Sequence, residues 1–172
     1  FRSIRLFFFL FLMTPLAQNG IAQLTGTKTV PGDYPSLASA ISDLNAQGVG
    51  DGGVTINLLA GHPETSPNGG YIIGGAGSPL LTTTSVANQV ILQGNGNIIT
   101  APSTLTAGAL NDAIFKIIGA DWITMDGFIL MENNANTTTN AGTNNMIEWG
   151  IALLYVSTTN GAQNTTIKNN TI

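Results

Sequence analysis

The sequence predicts an all-β chain, a solenoid of parallel coils introduced by one short helix. Three observations predict it. Asn, Thr and Gly supply 18, 22 and 21 of the 172 residues while only 8% are charged, a composition that suits a turn-rich β surface and neither a helical bundle nor a charge-rich disordered tail. Helical periodicity occurs once, near the N-terminus. From there to the end the chain is a series of short apolar runs bounded by Gly, Asn or Asp, the pattern of many brief strands separated by tight turns.

Residues 1–22 read as a secretory signal peptide, and the fold is taken to start at residue 23. Arg2 and Arg5 precede an apolar run over 6–13, about half the length needed to cross a bilayer. Pro15 and a small-residue stretch follow, with Gly20 and Ala22 at the −3 and −1 positions, which places cleavage after Ala22. Phe1 in place of an initiator Met reads as a chain that begins inside this leader. Export implies no stable membrane insertion once the leader is removed. It also permits disulfides, yet there is no cysteine, so stability must come from buried apolar area, which repeated strand packing supplies. Past Ala22, three lysines face nine acids with no arginine, a formal charge of −6. Such a surface repels phosphate backbones and anionic lipid, which argues against nucleic acid and a negatively charged membrane face as partners.

The elements follow in order. Residues 25–30 alternate and end at Pro31-Gly32, a strand and its turn. Leu37, Ala40, Ile41 and Leu44 recur at i, i+3, i+4 and i+7, one apolar stripe on a short helix, with Asp33 and Pro35 at its start and Gly48 past its end. A single amphipathic helix followed only by strands suits a cap over the open end of a β structure, where it covers unpaired edges. After the turn Gly50-Asp51-Gly52-Gly53, strands are predicted over 54–59, 89–92, 113–118, 122–125, 128–131, 151–156 and 165–168.

A repeat test separates the β architectures. Residues 121–130 overlay 163–172 at an offset of 42, with Met125 on Ile167 and Leu130 on Ile172. Residues 89–94 overlay 122–127 at an offset of 33. Unequal offsets around a shared strand-turn-strand unit indicate solenoid coils with loops of different length between them. The alternative, a β-sandwich, calls for Asn-Gly hairpins directly between paired strands, and Asn160-Gly161 is the main one of that kind. In a solenoid, equivalent turn residues stack, so Asn169-Asn170 and Asn133-Asn134, which follow strands, are expected to hydrogen-bond from coil to coil.

Two stretches then carry a resemblance. The segment from Gly32-Asp33-Tyr34-Pro35-Ser36-Leu37 through Val54-Thr55-Ile56-Asn57-Leu58-Leu59 to His62-Pro63-Glu64 resembles the N-terminal cap and first coil of right-handed parallel β-helix proteins of the pectin-lyase-like superfamily. Residues 114–128, with 148–154 and 164–169, are similar to the central coils of large secreted β-helix proteins of Gram-negative bacteria that use type IX secretion. The resemblance covers roughly residues 25–172 and implies the fold more than any activity. Because Ile172 falls inside a strand with no closing cap after it, the sequence reads as the N-terminal part of a longer protein.

The chemistry the resemblance would imply is incomplete here. Lyases of the fold abstract a proton beside a uronate carboxylate with Arg or Lys, often with calcium, and only Lys28, Lys116 and Lys168 could serve after Arg5. Lys116 reads as an outward mid-strand residue. Hydrolases and esterases of the fold need clustered aspartates with His or Arg, whereas the single histidine, His62, lies far in sequence from Asp121 and Asp126. No catalytic residue is assigned and no metal ligand set is complete. A calcium site requires six to eight oxygens, which Asp121 and Asp126 do not supply, so no cofactor is expected and calcium stays without support. Gly74-Gly75-Ala76-Gly77 and Gly94-Asn95-Gly96-Asn97 open no helix, which removes a phosphate-cradling reading.

What remains is contact chemistry. Trp122 alternates outward from Ile123 and Met125, beside Asp121 and Asp126, and an exposed aromatic among carboxylates can stack on a sugar ring. Glu132 and Glu148 bracket an Asn/Thr-rich loop that reads either as a binding excursion or as a disordered insert. Trp122, Asp121, Asp126, Glu132 and Glu148 are therefore the candidate carbohydrate-contacting residues. The expectation is a secreted or cell-surface β-helix segment, adhesive or carbohydrate-contacting and without catalysis of its own, with extracellular polysaccharide or cell-surface glycan as partner. The alternative is the N-terminal part of a polysaccharide lyase or glycoside hydrolase whose active site lies beyond residue 172.

Overall fold

The computed structural model describes residues 22–103, 105, 108, 111–140 and 142–172. All of the expected leader except Ala22 lies outside the described residues. Among the described residues twelve strands and two helices follow one another as β1 (Leu24–Val30), α1 (Leu37–Gln47), β2 (Val49–Leu58), β3 (Glu64–Thr65), β4 (Tyr71–Gly74), α2 (Leu80–Thr83), β5 (Val90–Gln93), β6 (Ile98–Thr100), β7 (Ala113–Ile118), β8 (Ile123–Asp126), β9 (Ile129–Met131), β10 (Trp149–Ser157), β11 (Asn160–Gly161) and β12 (Thr166–Lys168).

These strands form three sheets, ordered β1-β2-β5-β8-β12, β3-β6-β9 and β4-β7-β10-β11. From β2 onward the chain visits the first, second and third sheet in rotation. Every pairing between named strands is parallel except the β10–β11 hairpin, so a sandwich of antiparallel hairpins is excluded. Both overlays expected from sequence are strand registers: Val90 pairs with Ile123, and Met125 with Ile167.

The period-2 alternation of each strand decides what is buried. Val54, Val90 and Ile123 form one inward row of the first sheet, and Ile56, Leu92 and Met125 the next. Tyr71 and Phe115 stack across the third sheet with centroids 5.0 Å apart, and Phe128 closes on Phe115 at 5.2 Å. At the far end, Trp149, Leu153 and Tyr155 continue the inward row above Ala113 and Ile117 but stay 54%, 47% and 74% exposed.

The helix α1 buries Leu37, Ala40, Ile41 and Leu44, as its stripe predicts, and packs on β1 and β4. Its N-cap is Ser36 in a capping box with Ser39, and not Asp33, which instead accepts from the Thr29 amide and hydroxyl. The Gly-rich stretch 50–53 also differs from expectation. It is not a free turn but an irregular part of β2, where Leu24 pairs with Val49 and the next matched pair is Gly26 with Val54. The strands β3, β4, β6 and β11 and the short helix α2, of two to four residues each, went unpredicted.

The turns from first to second sheet show what the asparagines do. Register places Gly61, Gly96, Gly127 and Asn169 in one stack, all with φ between 56° and 79°. The residues after them are His62, Asn97, Phe128 and Asn170. Asn97 accepts from the His62 amide at 2.6 Å and donates to the Leu59 carbonyl at 2.9 Å. Asn170 repeats the pattern, accepting from the Phe128 amide at 2.8 Å and donating to the Met125 carbonyl at 3.0 Å. The expected ladder is thus mainly one of asparagine side chains closing the backbone of the preceding turn.

Candidate functional site

The outer face of the first sheet is built by the same alternation that fills its inside. Since Ile123 and Met125 point inward, Thr124 and Asp126 of β8 point outward, and register extends them into two rows. One is Thr27, Thr55, Ile91, Thr124 and Thr166; the other is Thr29, Asn57, Gln93, Asp126 and Lys168. Successive members stand one strand apart, about 4.8 Å. Sequence reading missed the threonine row because its members are 28 to 42 residues apart; the only local signal was Thr27-Lys28-Thr29, an outward pair around one inward residue.

Trp122 stands at the entry to β8 with φ 56°. Its amide donates to the Gln163 carbonyl at 3.1 Å, and its carbonyl accepts from Val90 at 3.1 Å, so both neighbouring strands' flanks fix it. The stacked residue one register on is Asn164, with φ 52°. The turn therefore requires left-handed backbone. Asn tolerates that readily, whereas a bulky residue there costs roughly 1–2 kcal/mol. A half-buried aromatic held in left-handed backbone is a pointer to function.

Asp121 accepts from the Gln163 amide at 2.7 Å. Asp126 accepts from Asn169 Nδ2 at 2.8 Å and pairs with Lys168 Nζ at 3.4 Å. The Asn169 bond, and then Lys168, hold the Asp126 carboxyl below the usual carboxylate range. Both aspartates lie at opposite ends of β8, and both already serve the adjacent turn. Toward the other end of the face a groove of about 300 Å³ opens, lined by Thr27, Thr55, Ile91, Val86, Gln89 and Gly52.

Glu132 and Glu148 are elsewhere. They sit at the two ends of the loop between β9 and β10, which links the second and third sheets. Glu132 accepts from the amides of Asn133 and Ile147 at 2.8 and 2.6 Å, and from Asn136 Nδ2 at 2.7 Å. Glu148 accepts from Asn144 Nδ2 at 2.6 Å. Asn133 and Asn136 reach the carbonyls of Ala101 and Pro102. The loop is therefore a tethered structure, and its two glutamates hold it together. Burial, then Asp112, and in smaller part Glu132, push the Glu148 carboxyl above its ordinary range.

Of the five candidates the structure gathers Asp121, Trp122 and Asp126 around β8 and leaves Glu132 and Glu148 on another side of the molecule. Lys116 is a half-buried outward residue of β7, in register with Ile72 and Ala152. Among the described residues no three His, Cys, Asp or Glu side chains group so as to hold a metal ion. No protein-family model, no curated protein and no solved structure matches this chain.

Proposed function

We propose that the chain is a right-handed parallel β-helix segment, exported to the cell surface or beyond, that contacts carbohydrate without transforming it. The rotation of strands through three parallel sheets, with turns closed from one pass to the next, supports the β-helix reading. The contact surface is the outer face of the first sheet, where Thr27 and Thr55, then Ile91, then Thr124 and Thr166 stand in one row, with Trp122 at the entry to β8.

The single observation that carries this reading is Trp122 in left-handed backbone, at a position where the stacked turn uses Asn164. Sugar hydroxyls suit a hydroxyl and amide row, and a pyranose C–H face suits an indole. The acidic, arginine-free surface selects against polyanionic glycans. Titration of residues 23–172 with neutral and uronate oligosaccharides, followed by amide chemical shifts, tests it. Shifts should map to Trp122, Thr124 and their neighbours with a neutral glycan. Turnover of polygalacturonate or alginate in calcium, seen as unsaturated product or new reducing ends, would overturn the non-catalytic reading. Export is tested separately, by sequencing the N-terminus of the secreted protein for a start at Gln23.

A further inference from the structure

Three Asn-Gly pairs lie among the described residues: Asn68-Gly69, Asn95-Gly96 and Asn160-Gly161. An Asn followed by Gly is chemically the least hindered site for attack of a backbone amide on the side-chain amide. The reaction needs a free attacking nitrogen and a side chain able to turn toward it. The structure meets those needs very differently at the three sites.

At Asn95 both partners are engaged. Its Nδ2 donates to Asn57 Oδ1 at 2.7 Å and to the Leu58 carbonyl at 2.8 Å, and the Gly96 amide donates to the Gly127 carbonyl at 2.7 Å. At Asn160 the pair forms β11, with Asn160 opposite Ser157 and Gly161 opposite Tyr155. Gly161 is buried, and the Tyr155 ring comes within 3.0 Å of where a side chain would start. At Asn68 none of this holds. Residues 67–70 make a tight turn closed by the Gly70 amide on the Pro67 carbonyl at 2.8 Å, which places Asn68 and Gly69 at its corner. Asn68 is exposed, Gly69 has φ 84°, and the space above Gly69 is empty to 4 Å. Among the described residues neither the Asn68 side chain nor the Gly69 amide has a hydrogen-bond partner.

We propose that Asn68 is a site of spontaneous conversion to aspartate and isoaspartate, while Asn95 and Asn160 are protected by the fold. The Gly69 amide gives its proton to solvent base and its nitrogen attacks Asn68 Cγ. The new C–N bond closes a five-membered imide as the Cγ–Nδ2 bond breaks and ammonia leaves with a proton. Water then opens the ring at either carbonyl. One product is aspartate; the other carries the chain through the side-chain carbon, adding one atom to the backbone. Either way the turn between β3 and β4 gains a negative charge. That turn joins Glu64, whose carboxylate accepts from the first amide of α1, to Tyr71, whose hydroxyl donates to the same carboxylate. The mark therefore falls on the connection that anchors the capping helix.

Ageing the folded protein and a urea-unfolded sample side by side at mildly alkaline pH tests this. Peptide mapping by mass spectrometry and enzymatic isoaspartate labelling read each site. In the folded protein Asn68 should convert at least about tenfold faster than Asn95 or Asn160, the order of protection one retained hydrogen bond confers. In urea the three rates should converge. Asn68→Gln should remove the fast phase and leave the far-UV spectrum unchanged. Equal rates at the three sites in the folded protein, or an Asn68 that reacts only when unfolded, would overturn the proposal.

Discussion

Replacing Asn97 by alanine tests the backbone logic of the fold. Asn97 is 4% exposed. Its amide donates to the carbonyls of Leu59 at 2.9 Å and Gly94 at 2.8 Å, with a longer contact to Leu58 at 3.3 Å, and its oxygen accepts from His62 at 2.6 Å. Three of those bonds have normal geometry, and each contributes about 1 kcal/mol net, with more lost where a buried partner is left unsatisfied. Asn97→Ala should therefore cost roughly 3–4 kcal/mol, a large share of a domain stability of about 5–15 kcal/mol. At about 2–4 °C per kcal/mol for a domain of this size the midpoint should fall by roughly 10 °C. Asn170→Ala removes the same bracket at the half-buried end, where water replaces the lost partners, and should cost under about 1 kcal/mol. Urea unfolding followed by far-UV circular dichroism, with the slope required to stay constant, measures both. A loss below about 0.5 kcal/mol for Asn97→Ala, or a loss at Asn170 equal to that at Asn97, would refute the reasoning.

Other outcomes are expected at sites that do separate work. Glu64→Ala should destabilise by about 2 kcal/mol in the same assay, because the carboxylate accepts from Leu37 N at 2.9 and 3.1 Å and from the Tyr71 hydroxyl at 3.0 Å; Tyr71→Phe, which removes one bond, should cost about half as much. Trp122→Asn should leave stability within about 1 kcal/mol, since relief of left-handed strain offsets lost indole burial, yet weaken binding of the neutral glycan about tenfold by calorimetry. Because the folded Glu148 carboxyl lies above its ordinary value of 4.5, its contribution is fully present below that pH and is lost as pH rises through the folded value. Glu148→Gln should therefore flatten stability against pH on the alkaline side of 4.5, while Asp126→Asn should flatten it below the ordinary value of 3.8, the Asp126 carboxyl being held low.

How much of this was legible follows from the range of the interactions. The stripe Leu37, Ala40, Ile41, Leu44 is local, and all four are buried. The overlays at 33 and 42 residues needed only self-comparison, and both are strand registers. The helix cap was not legible, because Asp33 and Ser36 are both good N-caps by type, and only the side-chain bond to Ser39 separates them. The outward threonine row could not be seen without the registers of β1, β2, β5, β8 and β12, since no local window holds two of its strands. The roles of Glu132 and Glu148 were hidden for a similar reason: a loop rich in Asn reads as unstructured until the carbonyls of Ala101 and Pro102 are known to lie within reach. The left-handed backbone of Trp122 was not legible from the alternation of its neighbours.

The interruption of the asparagine bracket at Phe128 has a physical reason. Register shortens from an offset of 33 between β5 and β8 to 31 between β6 and β9, so the turn 94–97 is two residues longer than the turn at Gly127-Phe128. That turn closes on itself. The Asn97 amide and its Nδ2 both donate to the Gly94 carbonyl, at 2.9 and 2.8 Å, and the Gly96 amide reaches the Gly127 carbonyl. The groups that an asparagine at position 128 would have satisfied are thus already bonded. Position 128 is free to hold a side chain chosen for packing, and Phe128 fills it, 1% exposed and tilted 54° against Phe115. The shorter turn at Phe128 does not close itself and needs Asn170 on the next pass. The turns at 59–63 and 127–128 each take an asparagine from the next pass, Asn97 and Asn170, while the turn at 94–97, closed on Gly94, takes none.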